Sequence, residues 1–328
     1  MSEAHNKIIY DLERCLPKAK ARIKSNELMK HHTSFKIGGL ADIFVEPVSI
    51  KEIITVKKYC RENNIACTII GRGSNILVSD LGIRGVVISI SDLFSGMKIL
   101  DSDGYKRKVT SADDQEKVRL RINAGTRLSA LASFAANNSL TGLEFASGIP
   151  GTLGGAVIMN AGAYDGCMSD VVVQTRYLNT NCEIISINKQ AHTFAYRSSC
   201  FMSQPESIIL CSYIELRYAS KDMIFAKTAD YTSRRRSTQP LDLPSAGSAF
   251  KRPTGNYAGK LITDNGLKGL RIGDAQVSLK HAGFIVNLGD ATAHDVKALI
   301  MEVKRIVRNN SGIDLVPEVR FIGEWQEE

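Results

Sequence analysis

The second serine in the segment PSAGSAFKRP has neighbours that suit chemistry on a bound ligand. Ser248 lies between Gly247 and Ala249, and Lys251 and Arg252 follow it. Small neighbours leave room for a ligand, and nearby cations can offset the negative charge that develops when a hydroxyl gives up its proton. The residues alone leave two interpretations open: Ser248 is a turn hydroxyl, or it is a proton donor.

Two further segments, far from this serine in sequence, carry candidate acid–base groups. YRSSCF places Tyr196 beside Arg197, and PEVRFIG places Glu318 two residues before Arg320. Each pair is also common at a strand end, so neither indicates a site by itself. Cys200 lacks an obvious neighbouring base and is predicted to be a small buried side chain.

Two glycine-rich segments offer backbone N–H groups that side chains do not obstruct. The first is GRGSN, residues 71–75, for which a tight turn is the alternative. The second is SGIPGTLGGAVIMNAGAYDG, residues 147–166, which has more glycines than a turn requires. It does not match the dinucleotide pattern G-x-G-x-x-G, but Pro150 and Thr152 favour a short helical turn whose N-terminus suits a pyrophosphate. Together the segments predict a diphosphate-bearing cofactor, with two structural loops as the alternative.

Hydrophobic periodicity predicts the elements that position these segments. Helices are predicted at the N-terminus, from the capping-box spacing at 47–52 through residue 63, at 126–138, and at 293–308 with one apolar stripe. Strands are predicted at 41–45, 66–70, 171–177, 183–187 and 208–218, and in the final VPEVRFIGEW. The polar residues 92–117 are predicted to form a long hairpin or a surface excursion. A change in composition near residues 219–222 indicates a domain boundary.

Composition and charge limit the class of protein. Of 328 residues, 44% are hydrophobic and 23% charged, so the chain is predicted to fold throughout, into two or three domains. The formal net charge of +8 suits a polyanionic partner: nucleic acid, an acidic membrane face or a phosphorylated small molecule. The basic run Arg234–Arg236 is compatible with a solvated helix face or with a phosphate site. No nucleic-acid motif is evident and the histidines lack metal-ligand spacing, so neither nucleic acid nor a metal is predicted.

Cysteine usage and the N-terminus bear on location. The seven cysteines lack CxxC spacing, which argues against a disulfide framework and a zinc site and fits a reducing cytosol. The N-terminus lacks the apolar core of a signal peptide, and no apolar run approaches the roughly 20 residues that span a bilayer. We therefore expect a cytoplasmic protein without membrane insertion, and a monomer with a complete site in one chain.

Seven motifs occur in order along the chain: HTSFKIGGLAD, GRGSNILVSD, GIPGTLGGAVIMNAGAYDG, YRSSCF, PSAGSAFKRP, KLITDNGLKGLRIGDAQVSLKHAGFIVN and PEVRFIG. Together they resemble those of one family, the UDP-N-acetylenolpyruvoylglucosamine reductases, flavoenzymes that complete UDP-N-acetylmuramic acid in bacterial peptidoglycan synthesis. The resemblance extends from about Thr33 to Trp325. The short spacing from YRSSCF to PSAGSAF resembles members that lack an inserted substrate-capping loop.

The resemblance implies an α+β fold. It implies a two-subdomain FAD-binding domain of the vanillyl-alcohol oxidase/PCMH type, followed by an α+β substrate-binding domain. The expected boundaries are 1–32 for an N-terminal helical appendage, 33–90 and 91–220 for the two FAD-binding subdomains, and 221–328 for the substrate-binding domain with a C-terminal catalytic strand.

The resemblance also implies roles for individual residues. Arg197, Ser248 and Glu318 are expected to be catalytic, with Ser248 as the proton donor. The residues expected to bind FAD are Gly71, Gly73, Ser74, Asn75, Gly148, Ile149, Pro150, Gly151, Gly154, Gly155, Asn160, Gly162, Ala163 and Tyr164. Those expected to bind the substrate or NADPH are Tyr196, Arg236, Arg252, His281 and Arg320.

The implied reaction uses FAD as cofactor and NADPH as co-substrate, in two halves. NADPH reduces the flavin and leaves, and the enolpyruvyl ether of the UDP-sugar then takes a hydride at its terminal vinyl carbon. Arg197, assisted by Glu318, would stabilise the enolate charge, and Ser248 would protonate the carbon next to the carboxylate. The alternatives are an oxidase of the same FAD-binding superfamily, for which no flavin-linking His or Cys is apparent, and a nucleic-acid-binding protein.

Overall fold

The computed structural model describes residues 3–100 and 117–326, and the chain divides into two units whose segments interleave. Unit 1 contains residues 1–23, 45–71 and 88–235, and unit 2 contains residues 24–44, 72–87 and 236–328. Helices and strands occur in both units, which confirms the α+β class. The predicted functional boundaries, at 32, 90 and 220, stay a prediction.

The helices and strands are numbered here in chain order. The α-helices are α1 (Glu3–Cys15), α2 (Ile50–Glu62), α3 (Leu128–Asn137), α4 (Leu153–Ile158), α5 (Met168–Val171), α6 (Lys221–Thr238), α7 (Ala258–Asp264) and α8 (Ala293–Ser311). The strands are β1 (Ile23–Leu28), β2 (Leu40–Val45), β3 (Cys67–Ile70), β4 (Ile76–Val78), β5 (Ile83–Ser89), β6 (Met97–Leu100), β7 (Lys117–Asn123), β8 (Leu140–Thr141), β9 (Gly162–Ala163), β10 (Gly166–Cys167), β11 (Val172–Leu178), β12 (Ile184–Asn188), β13 (Ile208–Tyr218), β14 (Arg271–Ile272), β15 (Ala275–Val277), β16 (Ile285–Asn287) and β17 (Arg320–Ile322). Short 3₁₀-helices cover Pro17–Arg22, Met29–His32, Asp92–Phe94, Glu144–Ala146, Gln190–His192 and Cys200–Ser203.

Unit 1 is built on an antiparallel sheet with the strand order β12-β11-β13-β7-β6, and β8 also pairs with β13. Along β7, the buried Val118, Leu120 and Ile122 alternate with residues that retain exposure. This period of two buries one face of the strand. Helix α4 packs against β7 and β13 on the sheet, which brings the second glycine-rich segment onto this core.

The polar segment 92–117 contains part of a hairpin. Strands β6 and β7 pair antiparallel, with Met97 opposite Ile122 and Leu100 opposite Arg119. The pairing confirms the hairpin where the two strands meet. Residues 101–116, which connect them, lie outside the described residues.

Helix α2 and strand β3 lead the chain to the first glycine-rich segment. The Ser49 hydroxyl caps α2 by accepting a hydrogen bond from Glu52 N–H (3.3 Å), as the capping-box spacing predicts. After the helix, Asn64 adopts a left-handed φ of 53°, and Ile65 N–H donates to the Cys60 carbonyl (2.8 Å). This tight reversal starts β3, which ends one residue before Gly71.

The core of unit 2 combines three distant parts of the chain. The apolar stripe predicted for α8 is buried, and it packs in one cluster with Phe35, Ile37 and Leu77. Strands β14, β15 and β16 form an antiparallel sheet, and β17 pairs in parallel with β4. Helix α8 extends one turn beyond the predicted end and stops at Gly312, whose left-handed φ of 69° terminates it.

Asp80, the last residue of GRGSNILVSD, caps the start of α8 in unit 2. Its carboxylate accepts hydrogen bonds from the backbone N–H groups of Ala293 (2.8 Å) and His294 (3.0 Å). Thr292 and Asp295 form a capping box at the same helix end. A carboxylate at this position satisfies two N–H groups and opposes the positive end of the helix dipole.

We expect Asp80→Ala to lower the free energy of unfolding by about 1 kcal/mol, since two helix N–H groups lose their acceptor. Chemical denaturation in urea measures this change. Asp242→Ala, at an exposed position in the same unit, is the matched control and should leave stability unchanged. Equal stability of the two variants would contradict a capping role for Asp80.

Candidate cofactor and active site

The second glycine-rich segment is fixed to the turn between β7 and α3 by backbone hydrogen bonds. Leu153 N–H donates to the Thr126 carbonyl (2.8 Å), and Gly154 N–H donates to the Ala124 carbonyl (2.9 Å). Thr152 is the N-cap of α4, which confirms the short helical turn expected at this position. The start of α4 therefore has a defined position on the sheet of unit 1.

Close packing leaves little room for a side chain at two of the expected cofactor positions. A Cβ atom on Gly71 would lie 2.6 Å from Thr152 Oγ1, and one on Gly154 would lie 3.1 Å from Ala124 Cβ. The first contact shows that the start of GRGSN lies against the second glycine-rich segment. Gly71 is thus a neighbour of the segment 147–166 in unit 1, although the two are at least 76 positions apart in the sequence.

Gly155 is surrounded differently. Among the described residues, only Thr152 Oγ1 comes within 4 Å of a Cβ atom built on Gly155, at 3.8 Å. The protein itself therefore does not require a glycine here. Open space above a helical glycine is what a closely approaching flat ligand needs.

The YRSSCF segment is hydrogen-bonded to the same glycine-rich segment. Arg197 Nη1 donates to the Gly162 carbonyl (3.0 Å), and Asn160 Nδ2 donates to the Ala195 carbonyl (3.1 Å). Arg197 itself has a left-handed φ of 52°. Tyr196 beside it is exposed, with the Arg197 guanidinium 5.6 Å from its ring centroid. The structure thus brings Arg197 to the expected cofactor segment, and Asn160 uses its amide to hold the two segments together.

Cys200 departs from the prediction of a buried side chain. It is partly exposed at the start of a 3₁₀ turn, and the buried side chain of this turn is Phe201. Partial burial still raises the pKa of the Cys200 thiol. The larger apolar neighbour takes the interior position because it removes more apolar surface from water.

One face of α6 packs against the end of the glycine-rich segment. Lys227, Tyr231 and Arg235 are spaced four residues apart on this face. Tyr164 stacks on Tyr231 with ring centroids 4.3 Å apart and donates its hydroxyl hydrogen to the Tyr231 carbonyl (2.7 Å). Asp165 accepts from the Tyr231 hydroxyl and pairs with Lys227 (3.3 Å). Tyr164, an expected FAD residue, is therefore held by α6.

The three consecutive arginines of α6 have different surroundings. Arg235 is half-buried, and a Cβ atom on Gly148 would lie 2.8 Å from its Cδ. Burial lowers the pKa of Arg235. Arg234 is exposed and pairs with Asp230 (2.9 Å), and Arg236 is also exposed. The sequence indicates the run Arg234–Arg236 as a possible phosphate site without distinguishing its members, and the structure shows that Arg235 is the arginine beside Gly148.

The remaining unit 1 residues expected to bind FAD lie in the same glycine-rich segment. Residues 149–151 precede α4, and residue 163 belongs to the short β9–β10 ribbon. These positions are occupied by Ile149, Pro150, Gly151 and Ala163.

In unit 2, the rest of GRGSN forms a turn. One position of this turn, Gly73, accepts only glycine. Gly73 has a left-handed φ of 61°, and a Cβ atom there would lie 2.1 Å from the His32 carbonyl oxygen. The Gly73 carbonyl accepts from Ser34 N–H (3.1 Å). Ser74 and Asn75 follow directly and complete the turn before β4.

Ser248 and Glu318 lie on neighbouring extended segments of unit 2. Ser248 forms an isolated bridge opposite Phe284, and Glu318 N–H donates to the Ala249 carbonyl (2.9 Å). Asn75 Nδ2 in turn donates to the Glu318 carbonyl (3.2 Å). One backbone network thus brings together two expected catalytic residues and an expected FAD residue.

The surroundings of Ser248 include an open glycine and a supporting histidine. Gly247 has a left-handed φ of 77°, and apart from its two chain neighbours no described residue has an atom within 4 Å of a Cβ built there. His281 Nδ1 accepts from Gly283 N–H (3.1 Å), and burial lowers the pKa of His281. His281, expected to bind substrate, therefore supports the segment that bridges to Ser248.

Of the other cations expected at the substrate, Arg320 is bonded to the same network, and Arg252 lies near it in sequence. Arg320 N–H donates to the Asn75 carbonyl (3.1 Å), which places Arg320 next to GRGSN. Arg252 is exposed, and its guanidinium lies 3.9 Å from the Tyr257 ring centroid in a cation–π contact. Lys251 N–H donates to the Val316 carbonyl (2.8 Å), which fixes the residues after Ser248.

Two sequence models of known domains match the chain. One describes an FAD binding domain and matches residues 41–188; the other describes the C-terminal domain of UDP-N-acetylenolpyruvoylglucosamine reductase and matches residues 239–322. The protein of that reductase name from Lachnoclostridium phytofermentans is 46% identical over 304 residues, which covers 92% of this chain and 94% of the relative.

The chain belongs to the UDP-N-acetylenolpyruvoylglucosamine reductase family. A second relative of that name, from Caldanaerobacter subterraneus subsp. tengcongensis, is 46% identical and covers 91% of this chain and 93% of the relative. The crystal structure of UDP-N-acetylenolpyruvylglucosamine reductase from Thermus caldophilus has a TM-score of 0.71 and 32% identity, covering 92% of this chain and 98% of that one. The resemblance drawn from seven motifs is thereby confirmed, and the chain is an oxidoreductase with an FAD-binding domain.

The residues of unit 1 fit the FAD that this family implies. The matched region 41–188 contains both Gly71 and the second glycine-rich segment, which contact each other through Thr152. The space above Gly155 is not filled by protein atoms of the described residues. Half-buried Arg235 adds a cation beside Gly148, suited to a cofactor with negative charge.

No helix within residues 3–100 and 117–326 is both long and apolar enough to cross a membrane.

We expect Gly155→Ala to weaken FAD binding by about tenfold, because its methyl group enters the space proposed for the cofactor, and a misfit of this size costs about 1–3 kcal/mol. The same change should raise the stability of the FAD-free protein by about 0.5–1 kcal/mol, since alanine favours the helix. Fluorescence titration with FAD and urea denaturation measure the two effects.

Gly154→Ala is the matched control for this prediction. It lies one residue earlier in α4 but contacts Ala124, so it should lower stability. Unchanged FAD affinity in Gly155→Ala would show that the cofactor does not lie above this residue.

Proposed function

We propose that this protein reduces the enolpyruvyl ether of UDP-N-acetylglucosamine to UDP-N-acetylmuramate, with NADPH as the reductant. The observation that carries the proposal is the network of unit 2, in which Glu318 N–H bonds to Ala249 beside Ser248. It is supported by family membership and by Arg197, which is hydrogen-bonded to the glycine-rich segment of the FAD-binding domain. FAD, when bound, supplies a carrier that takes a hydride from NADPH and gives it to the substrate.

Arg197 and Glu318 are proposed to stabilise negative charge on the substrate. Hydride addition to the terminal vinyl carbon moves an electron pair toward the carboxylate, which becomes an enolate. A guanidinium opposes that charge, and a preorganised donor of this kind contributes about 3–4 kcal/mol at such sites. The hydrogen bond to Gly162 and the left-handed backbone hold Arg197 in one orientation before substrate arrives.

Ser248 is proposed to give a proton to the carbon next to the carboxylate. A serine hydroxyl is a weak acid, so its conjugate base needs a nearby cation or hydrogen-bond donor. Lys251 and Arg252 follow it on an extended segment whose backbone is fixed by Val316. Gly247 leaves the side of Ser248 open to a ligand, because no Cβ atom stands there.

The cations of unit 2 are proposed to hold the diphosphate of the substrate or the phosphate of NADPH. The Arg252 guanidinium lies over the ring of Tyr257, which is itself exposed. Arg320 and Arg236 are on the same unit, and guanidinium groups suit phosphate oxygens because they donate two parallel hydrogen bonds. Half-buried Arg235 is proposed to bind the cofactor.

The proposed function is tested by following the absorbance of the purified FAD-loaded protein without oxygen. NADPH should bleach the flavin band, and adding the enolpyruvyl UDP-sugar should restore it with formation of UDP-N-acetylmuramate. If an alcohol or sugar bleaches the band and NADPH does not, the protein is an oxidase and the proposal fails.

We expect Ser248→Ala to keep the bleaching by NADPH and to slow the recovery by substrate about 10²- to 10⁴-fold, the usual contribution of a general acid. Stopped-flow absorbance separates the two halves of the reaction. Ser245→Ala changes the other serine of PSAGSAF and should alter neither half. Substrate reduction at the normal rate in Ser248→Ala would remove the proton-donor role.

A further inference from the structure

Two cysteines of unit 1 that have no part in the proposed reaction lie in contact. Cys60 is in the last turn of α2, Cys67 is the first residue of β3, and their thiol groups are within hydrogen-bonding contact. The contact is built into the backbone, because Ile65 N–H donates to the Cys60 carbonyl (2.8 Å) and Asn64 adopts the left-handed conformation that reverses the chain.

A buried lysine accompanies this cysteine pair. Lys57 precedes Cys60 by one helical turn, and its side chain is only 4% exposed. Its ammonium pairs with Glu206, whose side chain is 61% exposed, at 3.0 Å. A buried ammonium favours a nearby thiolate, and a low-pKa thiolate is the form of cysteine that reacts with oxidants.

The two thiols are not equivalent. The hydrogen bond from Cys60 and the charge of Lys57 lower the pKa of Cys67 against the opposing effects of burial and of Glu206. The neighbouring Cys67 and burial raise the pKa of Cys60. Cys67 is partly exposed, and Cys60 is 1% exposed. A small oxidant therefore reaches the more acidic thiol first, and the buried thiol is held behind it.

We propose that Cys60 and Cys67 form a site of reversible oxidation, at which a hydroperoxide converts the thiol pair into a disulfide. The Cys67 thiolate attacks a peroxide oxygen; an S–O bond forms, the O–O bond breaks, and the leaving hydroxide takes a proton to become water when the oxidant is hydrogen peroxide. Cys60 then loses its proton and attacks the Cys67 sulfur, and the second hydroxide leaves as water. In sum, two thiols and one peroxide give one disulfide and two waters, and a dithiol reductant reverses the change.

This site fits a reducing compartment. All seven cysteines are free in the structure. Disulfides in such compartments are generally transient and formed in response to an oxidant. Cys60 and Cys67 have the features of that class: a favoured thiolate, access for the oxidant, and a second thiol in place.

Peptide mass spectrometry tests the proposal directly. The reduced full-length protein is exposed to hydrogen peroxide without NADPH, its free thiols are alkylated, and it is digested with trypsin. Cleavage after Lys58, Arg61 and Arg72 separates the two cysteines into the peptides YCR and ENNIACTIIGR. We expect these peptides to appear joined, lighter than their sum by two hydrogens, and to separate after treatment with dithiothreitol.

Several outcomes of this experiment would overturn the proposal. They are a link from Cys67 to the buried Cys182, preferential oxidation of the exposed Cys15, and oxidation of Cys67 that stops before a bond to Cys60 forms. Equal yield of the joined peptides from urea-unfolded protein would show that the fold does not create the site.

Single variants test the order of the two steps. Cys60→Ser should stop at a sulfenic acid on Cys67, which dimedone traps, whereas Cys67→Ser should leave Cys60 unreacted. If Cys67→Ser instead yields a dimedone adduct on Cys60 at the wild-type rate, the assigned order is wrong.

Lys57 is tested as a positioning residue through the reaction rate. Lys57→Met should slow formation of the joined peptides about fivefold at neutral pH, because less of Cys67 is thiolate. Lys58→Met, at the adjacent exposed position, should not change the rate. Raising the pH should restore the rate in Lys57→Met, a response that a loss of packing would not produce; failure of this rescue would remove Lys57 from the site.

Discussion

The hydrogen bond from Glu318 N–H to the Ala249 carbonyl is the contact on which the active segments of unit 2 depend. It aligns the strand-like segment that carries Glu318 with the one that carries Ser248, and Asn75 extends the same alignment to GRGSN. A slip of one residue would turn every side chain of an extended segment to its opposite face, so this bond selects which side chains share a surface. Because both partners are backbone atoms, neighbouring side chains can change while the alignment persists.

The candidate cofactor residues of unit 1 are held in position differently, by closely packed glycines and by side chains that bond to the backbone. Gly71 and Gly154 pack closely against Thr152 and Ala124. Arg197 bonds to the Gly162 carbonyl and Asn160 bonds to the Ala195 carbonyl, which joins the YRSSCF segment to the second glycine-rich segment. Helix α6 contacts both ends of the second glycine-rich segment, with Arg235 beside Gly148 and Tyr231 stacked on Tyr164. The candidate cofactor residues are consequently held by many short-range contacts, each of which depends on a particular residue type.

Patterns in the sequence predict the helices and strands that have a regular apolar period or a capping residue, and miss those that have neither. The stripe of α8 and the cap of α2 indicate their helices directly. Helix α6 has only two buried residues, Ile224 and Tyr231, which are too few to give a continuous apolar stripe. Strands of two or three residues, such as β14, are too short for a period. Arg235 and Arg236 are adjacent residues of the same type, so the sequence does not distinguish them. Only the helical geometry of α6 shows that their surroundings differ. The Cys60–Cys67 contact depends on a chain reversal at Asn64 that local spacing does not reveal.

The interleaving of unit 2 has a consequence for how the chain folds as it leaves the ribosome. Phe35 and Leu77 pack on residues of α8, and Asp80 caps that helix from 213 positions earlier in the chain. The core of this unit therefore cannot close until almost the whole chain has been synthesised, and residues 24–44 and 72–87 are made long before their partners. Contacts of such long range make folding slow, and apolar side chains that wait for them are exposed to aggregation or to chaperones. The region matched by the C-terminal family domain, residues 239–322, is thus recognised as a family domain, but part of its hydrophobic core comes from residues outside that region.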